Sequence, residues 1–136
     1  MQNNSFVLDR ENLASAAKTP LIISVALGLT WLFRIYLGYL YSPTLTFLEA
    51  FAGAMYMKSI MNSGKTPLLI NAGLNGAVLG GLTILVYEII SWITGSIVSH
   101  EWSLDFLSIV FGALEGGFVG FLGALAWFAY KTHTDN

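Results

Sequence analysis

The sequence predicts an all-α polytopic integral membrane protein, a single bundle of four transmembrane helices, and three observations carry the prediction. Only 10% of the 136 residues are charged while 55% are apolar, whereas soluble domains carry about 25% charge. Mean hydropathy is +0.67. The third observation is a set of four apolar runs, each near the roughly 20 helical residues that cross a hydrocarbon core about 30 Å thick. The formal net charge of -2 leaves no basic field for nucleic acid. The absence of cysteine removes disulfides, iron–sulfur clusters and thiolate zinc sites.

The first span is predicted over residues 20–41, opened by Thr19-Pro20, a hydroxyl at the cap and a proline at the first helical position where its missing N–H costs nothing. The second, residues 45–61, is short and needs Lys58 to reach toward the headgroups. Ser42-Pro43-Thr44 reads as the tight turn between them. The third span, residues 67–94, opens on Thr66-Pro67 after a turn at Asn62-Ser63-Gly64-Lys65. The fourth covers residues 104–130. Spans three and four exceed a perpendicular crossing and should tilt or bend.

This divides the chain into an N-terminal segment (1–19), a transmembrane domain (20–130) and a short tail (131–136). Residues 6–17 also fit a short interfacial helix interrupted by Arg10. With four spans, Arg10, Lys18, Lys58, Lys65 and Lys131 fall on one side and the opposite loops hold no Lys or Arg. That asymmetry predicts both termini in the cytoplasm and the chain in the cell membrane.

The pattern also fits two tandem helical hairpins. Lys18-Thr19-Pro20-Leu21 recurs as Lys65-Thr66-Pro67-Leu68, and Phe47-Leu48 with Gly53-Ala54 recurs as Phe106-Leu107 with Gly112-Ala113. Such a duplication relates the halves by an axis along the membrane normal.

Small residues recur every fourth position: Gly112, Gly116, Gly120 and Ala124 in span four, and two rows in span three, Ala72/Gly76/Gly80 and Gly73/Ala77/Gly81. In lipid, small side chains let helix backbones approach closely and gain dispersion contacts. Three rows on two helices exceed one contact, which points toward self-association or docking onto other membrane subunits.

Four charges fall inside the spans: Arg34, Glu49, Glu88 and Glu115. Each costs about 3 kcal/mol or more at mid-bilayer unless paired, hydrated or neutralised. All four map to the outer half of the bundle on small-residue faces. Arg34 and Glu49 can meet as an ion pair across the first hairpin, and the two remaining glutamates can change protonation or coordinate a crossing cation. Asn71 and Asn75, one turn apart, read as interhelical hydrogen-bonding amides or the lining of an inner vestibule.

Ser63-Gly64-Lys65-Thr66 resembles the end of a phosphate-binding loop, but Ser59 stands where that motif needs glycine. His100-Glu101 is a solvated loop pair. No nucleophile–base or metal constellation is present, so the sequence predicts neither an enzyme nor a cofactor nor a metal. The expected function is a non-catalytic membrane subunit that packs through its glycine stripes into a homo-oligomer or larger complex. The second reading is a small ion channel or proton-coupled transporter that uses the intramembrane carboxylates for an ion or small-molecule substrate.

Overall fold

Four helices account for the secondary structure of the computed structural model, which describes residues 6–33, 40–65 and 67–134. They are α1 (Arg10–Leu29), α2 (Tyr41–Asn62), α3 (Leu69–Ser99) and α4 (Phe106–Thr134), and no strand occurs among the described residues. Three of them, α1, α3 and α4, are long and apolar enough to cross a membrane, and α2 falls short of that.

The chain alternates direction. Asp9 hydrogen-bonds Asn75, and Thr94 reaches the carbonyl of Gly28, so α1 and α3 run parallel. On α3 and α4, Gly73 meets Phe121 while Gly112 meets Glu88, which makes that pair antiparallel. One end of the bundle therefore holds the start of α1, the α2–α3 turn and the end of α4, here the terminal end. The other, the loop end, holds the α3–α4 connection. α3 touches all three other helices, and α1 packs on α2 and α3 without reaching α4.

Helix α1 begins ten residues before the sequence reading placed it and ends at Leu29, so the expected first span over 20–41 is corrected. The Asp9 carboxylate caps it by accepting from the Asn12 amide at 3.3 Å, an acceptor offered to an otherwise orphaned N–H. Pro20 sits inside the helix and is buried. A proline inside a helix leaves the carbonyl four residues back, here that of Ala16, without an N–H partner, and the Ser24 hydroxyl adds a bond to the Pro20 carbonyl at 2.9 Å.

The expected turn at Ser42-Pro43-Thr44 is corrected as well. Pro43 lies in the first turn of α2, where no intrahelical partner for its N–H would exist. The turn at Ser63-Gly64 is present, with Gly64 at φ 79, a conformation that costs glycine nothing. α3 starts at Leu69, just after Pro67, and runs on to Ser99. At about 1.5 Å per residue its 31 residues measure about 46 Å. His100 closes it in the left-handed region at φ 60, its N–H bonded to the Ser96 carbonyl at 2.8 Å. Trp92 ties the loop end down, donating to the Ser103 carbonyl and meeting Trp102 edge-on at 5.6 Å.

Two repeat signals do not occupy equivalent places. Lys18-Thr19-Pro20 lies mid-way along α1 while Pro67 precedes α3, and Phe47 is deep in α2 while Phe106 opens α4.

The glycine rows meet one another. A Cβ on Gly116 would stand 2.9 Å from the Gly80 carbonyl, one on Gly120 would stand 2.5 Å from the Gly76 carbonyl, and Gly53 of α2 faces the Gly120 carbonyl directly. Gly81 and Ala77 face Ala113 and Gly117, and Gly73 lies under the Phe121 ring. α2, α3 and α4 thus cross backbone to backbone, and the rows are occupied within this chain. Ala52, Tyr56, Met57, Leu79 and Ala124 fill the space beside the crossing toward the terminal end.

Candidate functional site

Three of the four charges expected within the spans converge. Glu49 is eight residues into α2, Glu115 nine into α4 and Glu88 eleven before the end of α3. These positions lie about 12, 14 and 17 Å from the loop end at the rise of an α-helix. All three carboxylates line one cavity of about 370 Å³ together with Trp31, Tyr41 and Tyr87. Arg34, and with it the expected pair between Arg34 and Glu49, lies outside the described residues.

Each wall has a local cause. Gly112 offers no side chain opposite Glu88, and even an added Cβ there would lie 3.5 Å from the Glu88 carboxylate. Glu49 is only 3% exposed and its Oε2 has no hydrogen-bond partner among the described residues. Glu115 stands near enough to Glu49 for their charges to interact. A buried oxygen without a donor is costly, and such atoms in native structures call for an explanation.

The aromatic wall is ordered by its own bonds. Trp31 and Tyr41 stack at 5.3 Å with an interplanar angle of 11°, and Tyr41 and Tyr87 lie 6.3 Å apart. Trp31 donates its indole N–H to the Tyr87 hydroxyl at 3.3 Å, and the Tyr41 hydroxyl pairs with Thr30 at 2.6 Å. Nothing in the sequence pattern brings these three rings together. Tyr87 adjoins Glu88 and Tyr41 stands two turns before Glu49, but Trp31 has no glutamate of the site near it in sequence.

A second cavity of about 320 Å³ shares Trp31, Glu88 and Ser91 with the first and continues to the loop end, where Glu101, Asp105 and Ser108 line it. Its described lining holds hydroxyls and carboxylates and no Lys or Arg. His100 is exposed, and among the described residues no three His, Cys, Asp or Glu side chains are grouped to hold a metal ion.

A separate polar cluster closes the terminal end. Val7 donates its N–H to the Asn71 side chain at 2.9 Å, Asp9 donates its own to Asn75 at 2.8 Å, and the Asn75 amide returns a bond to the Val7 carbonyl at 3.0 Å. Tyr56 and Asn12 both donate to Asp9 Oδ2, and Ser59 donates to Asn12. Burial pushes the Asp9 carboxyl up, but the bonds from Asn12 and Tyr56 and the charge of Lys65 outweigh it and hold it below its ordinary value. Asn71 and Asn75 therefore bind the strap formed by residues 6–9, a partner that sequence spacing does not reveal.

Comparison with protein-family models, curated proteins and solved structures finds no match.

Proposed function

We propose that this chain is a small membrane transport protein that carries a cation or proton across the bilayer by way of Glu49, Glu88 and Glu115. The observation that carries the reading is the convergence of three carboxylates, from three different helices, on one cavity. Ionisable groups inside a membrane are expensive and persist mainly where they serve a pathway or a pair. In the proposed topology α2 also spans, giving four transmembrane helices. Its lower hydropathy fits this, because Glu49, Tyr56 and Ser59 face protein neighbours rather than lipid. Arg10, Lys58, Lys65 and Lys131 toward the terminal end favour a cytoplasmic location for both termini in the cell membrane.

The subunit reading leaned on glycine rows in surplus, and those rows are taken up by contacts within the chain. The transport reading depends on no partner. Proteoliposomes holding the purified chain should pass protons or monovalent cations down a gradient, and Glu49→Gln or Glu115→Gln should abolish the flux. Absence of flux in every ion gradient tried, with the protein shown folded, removes the reading.

A further inference from the structure

We propose that the cavity between α2, α3 and α4 is a binding site for an organic ammonium ion, a monovalent cation carrying apolar substituents. The inference rests on the transport reading and names its substrate class. Four features of the site select this chemistry. Charge comes first: Glu49, Glu88 and Glu115 line the cavity, and even a full guanidinium from Arg34 leaves two carboxylates in excess. The second is the unpartnered Oε2 of Glu49, 3% exposed and on the cavity wall. A bound cation would supply the partner that no described residue supplies.

Size and donor arrangement separate an organic cation from a metal ion. About 370 Å³ lies within the range of small-molecule sites, about 300–1,000 Å³, and far exceeds what a bare ion needs. The carboxylates are spread around the cavity, and the described residues group no three acidic or imidazole side chains as metal ligands. A metal ion of fixed short bond lengths would engage them one at a time, whereas an ammonium with alkyl arms fills the space between them. The fourth feature is the wall of Trp31, Tyr41 and Tyr87. Aromatic rings give an organic cation both apolar surface and π-electron attraction. The cavity that shares Glu88 with this one leads to the loop end past Glu101 and Asp105, an approach whose charge draws in cations.

The test is calorimetric titration of the full-length chain in mild detergent with tetrapropylammonium chloride, against sodium chloride at matched ionic strength. One saturable site per chain is expected for the organic cation and none for sodium. Glu49→Gln should weaken binding at least tenfold, and Trp31→Leu several-fold. Thermal unfolding should show a cooperative transition for Glu49→Gln, which establishes that the variant is folded. If that variant fails to fold, Glu88→Gln, at the junction of the two cavities, should weaken binding to the same degree.

The absence of saturable binding, or equal affinity in the folded glutamate variants, overturns the proposal. Glutamate-dependent flux of protons or sodium without tetrapropylammonium binding overturns it too and leaves the transport reading standing. Saturable, glutamate-dependent binding without any flux supports the site and removes the transport reading.

Discussion

Replacing Gly120 by alanine should force α3 and α4 apart. The added Cβ would meet the Gly76 carbonyl oxygen at 2.5 Å, the Gly80 Cα at 3.0 Å and the Gly80 nitrogen at 3.2 Å. All three are backbone atoms that no rotamer change can move. Ordinary contact begins at 3.4 Å, so the nearest atom must retreat by about 0.9 Å, the difference between those distances. Opening a gap of that width forfeits about a quarter to a half of the dispersion attraction along the crossing, which in lipid is the main force holding helices together. Overpacking costs about 1–3 kcal/mol, and the contact of Gly53 with the same Gly120 carbonyl places this site toward the upper end. Titration with dodecyl sulfate in mixed micelles, followed by circular dichroism, measures the loss. Two controls fix the scale: Gly117→Ala, whose Cβ would lie 3.5 Å from the Ala77 carbonyl, and Gly95→Ala, which meets nothing within 4 Å. Both positions are helical and free of clash, so both should gain up to about 1 kcal/mol from helix propensity. A Gly120→Ala chain as stable as Gly95→Ala would refute the packing argument.

His100→Gly should stabilise the chain by up to about 1 kcal/mol by relieving the left-handed conformation at φ 60, seen as a raised thermal midpoint. Tyr56→Phe removes the donor 3.1 Å from Asp9 Oδ2 and should cost about 1.5 kcal/mol, the low end for a bond to a charged acceptor, measured by the same dodecyl sulfate titration. The Asp9 carboxyl is held below its ordinary value, so its contribution is complete above the unfolded value near about 4. It is lost as pH falls through the lower folded value. The thermal midpoint should drop over that acid range, and Asp9→Asn should flatten the drop. Gly116→Leu should unfold the monomer rather than disperse an assembly, because its side chain would strike Ile84 and the Gly80 carbonyl of the same chain; size-exclusion of a folded, smaller species would contradict this.

The later helices were more legible than the first. Glycine rows and long apolar runs in α3 and α4 speak for themselves, and the turn at Gly64 follows from composition. Pro20 and Pro43 misled because proline at a helix start and proline inside a packed helix look alike in a sequence. The polar stretch Arg10-Glu11-Asn12 reads as a solvated extension until Ser59 and Tyr56 are seen beside it. For the site, periodicity put Glu49, Glu88 and Glu115 on helix faces that meet. The aromatic wall stayed hidden because Trp31 reaches Tyr87 across 56 positions of chain, a distance that local spacing cannot encode.

The strap at the terminal end bears on the order in which the protein is made. Val7 and Asp9 leave the ribosome well before their partners Asn71 and Asn75, which follow 64 and 66 residues later. The start of the chain must therefore wait through the synthesis of α1, α2 and the opening turns of α3. Only then can the Asn75 amide, wholly shielded from solvent in the finished fold, take up its bonds to Val7 and Asp9. Residues 7–9 thus dock only after α1 and α2 have been made.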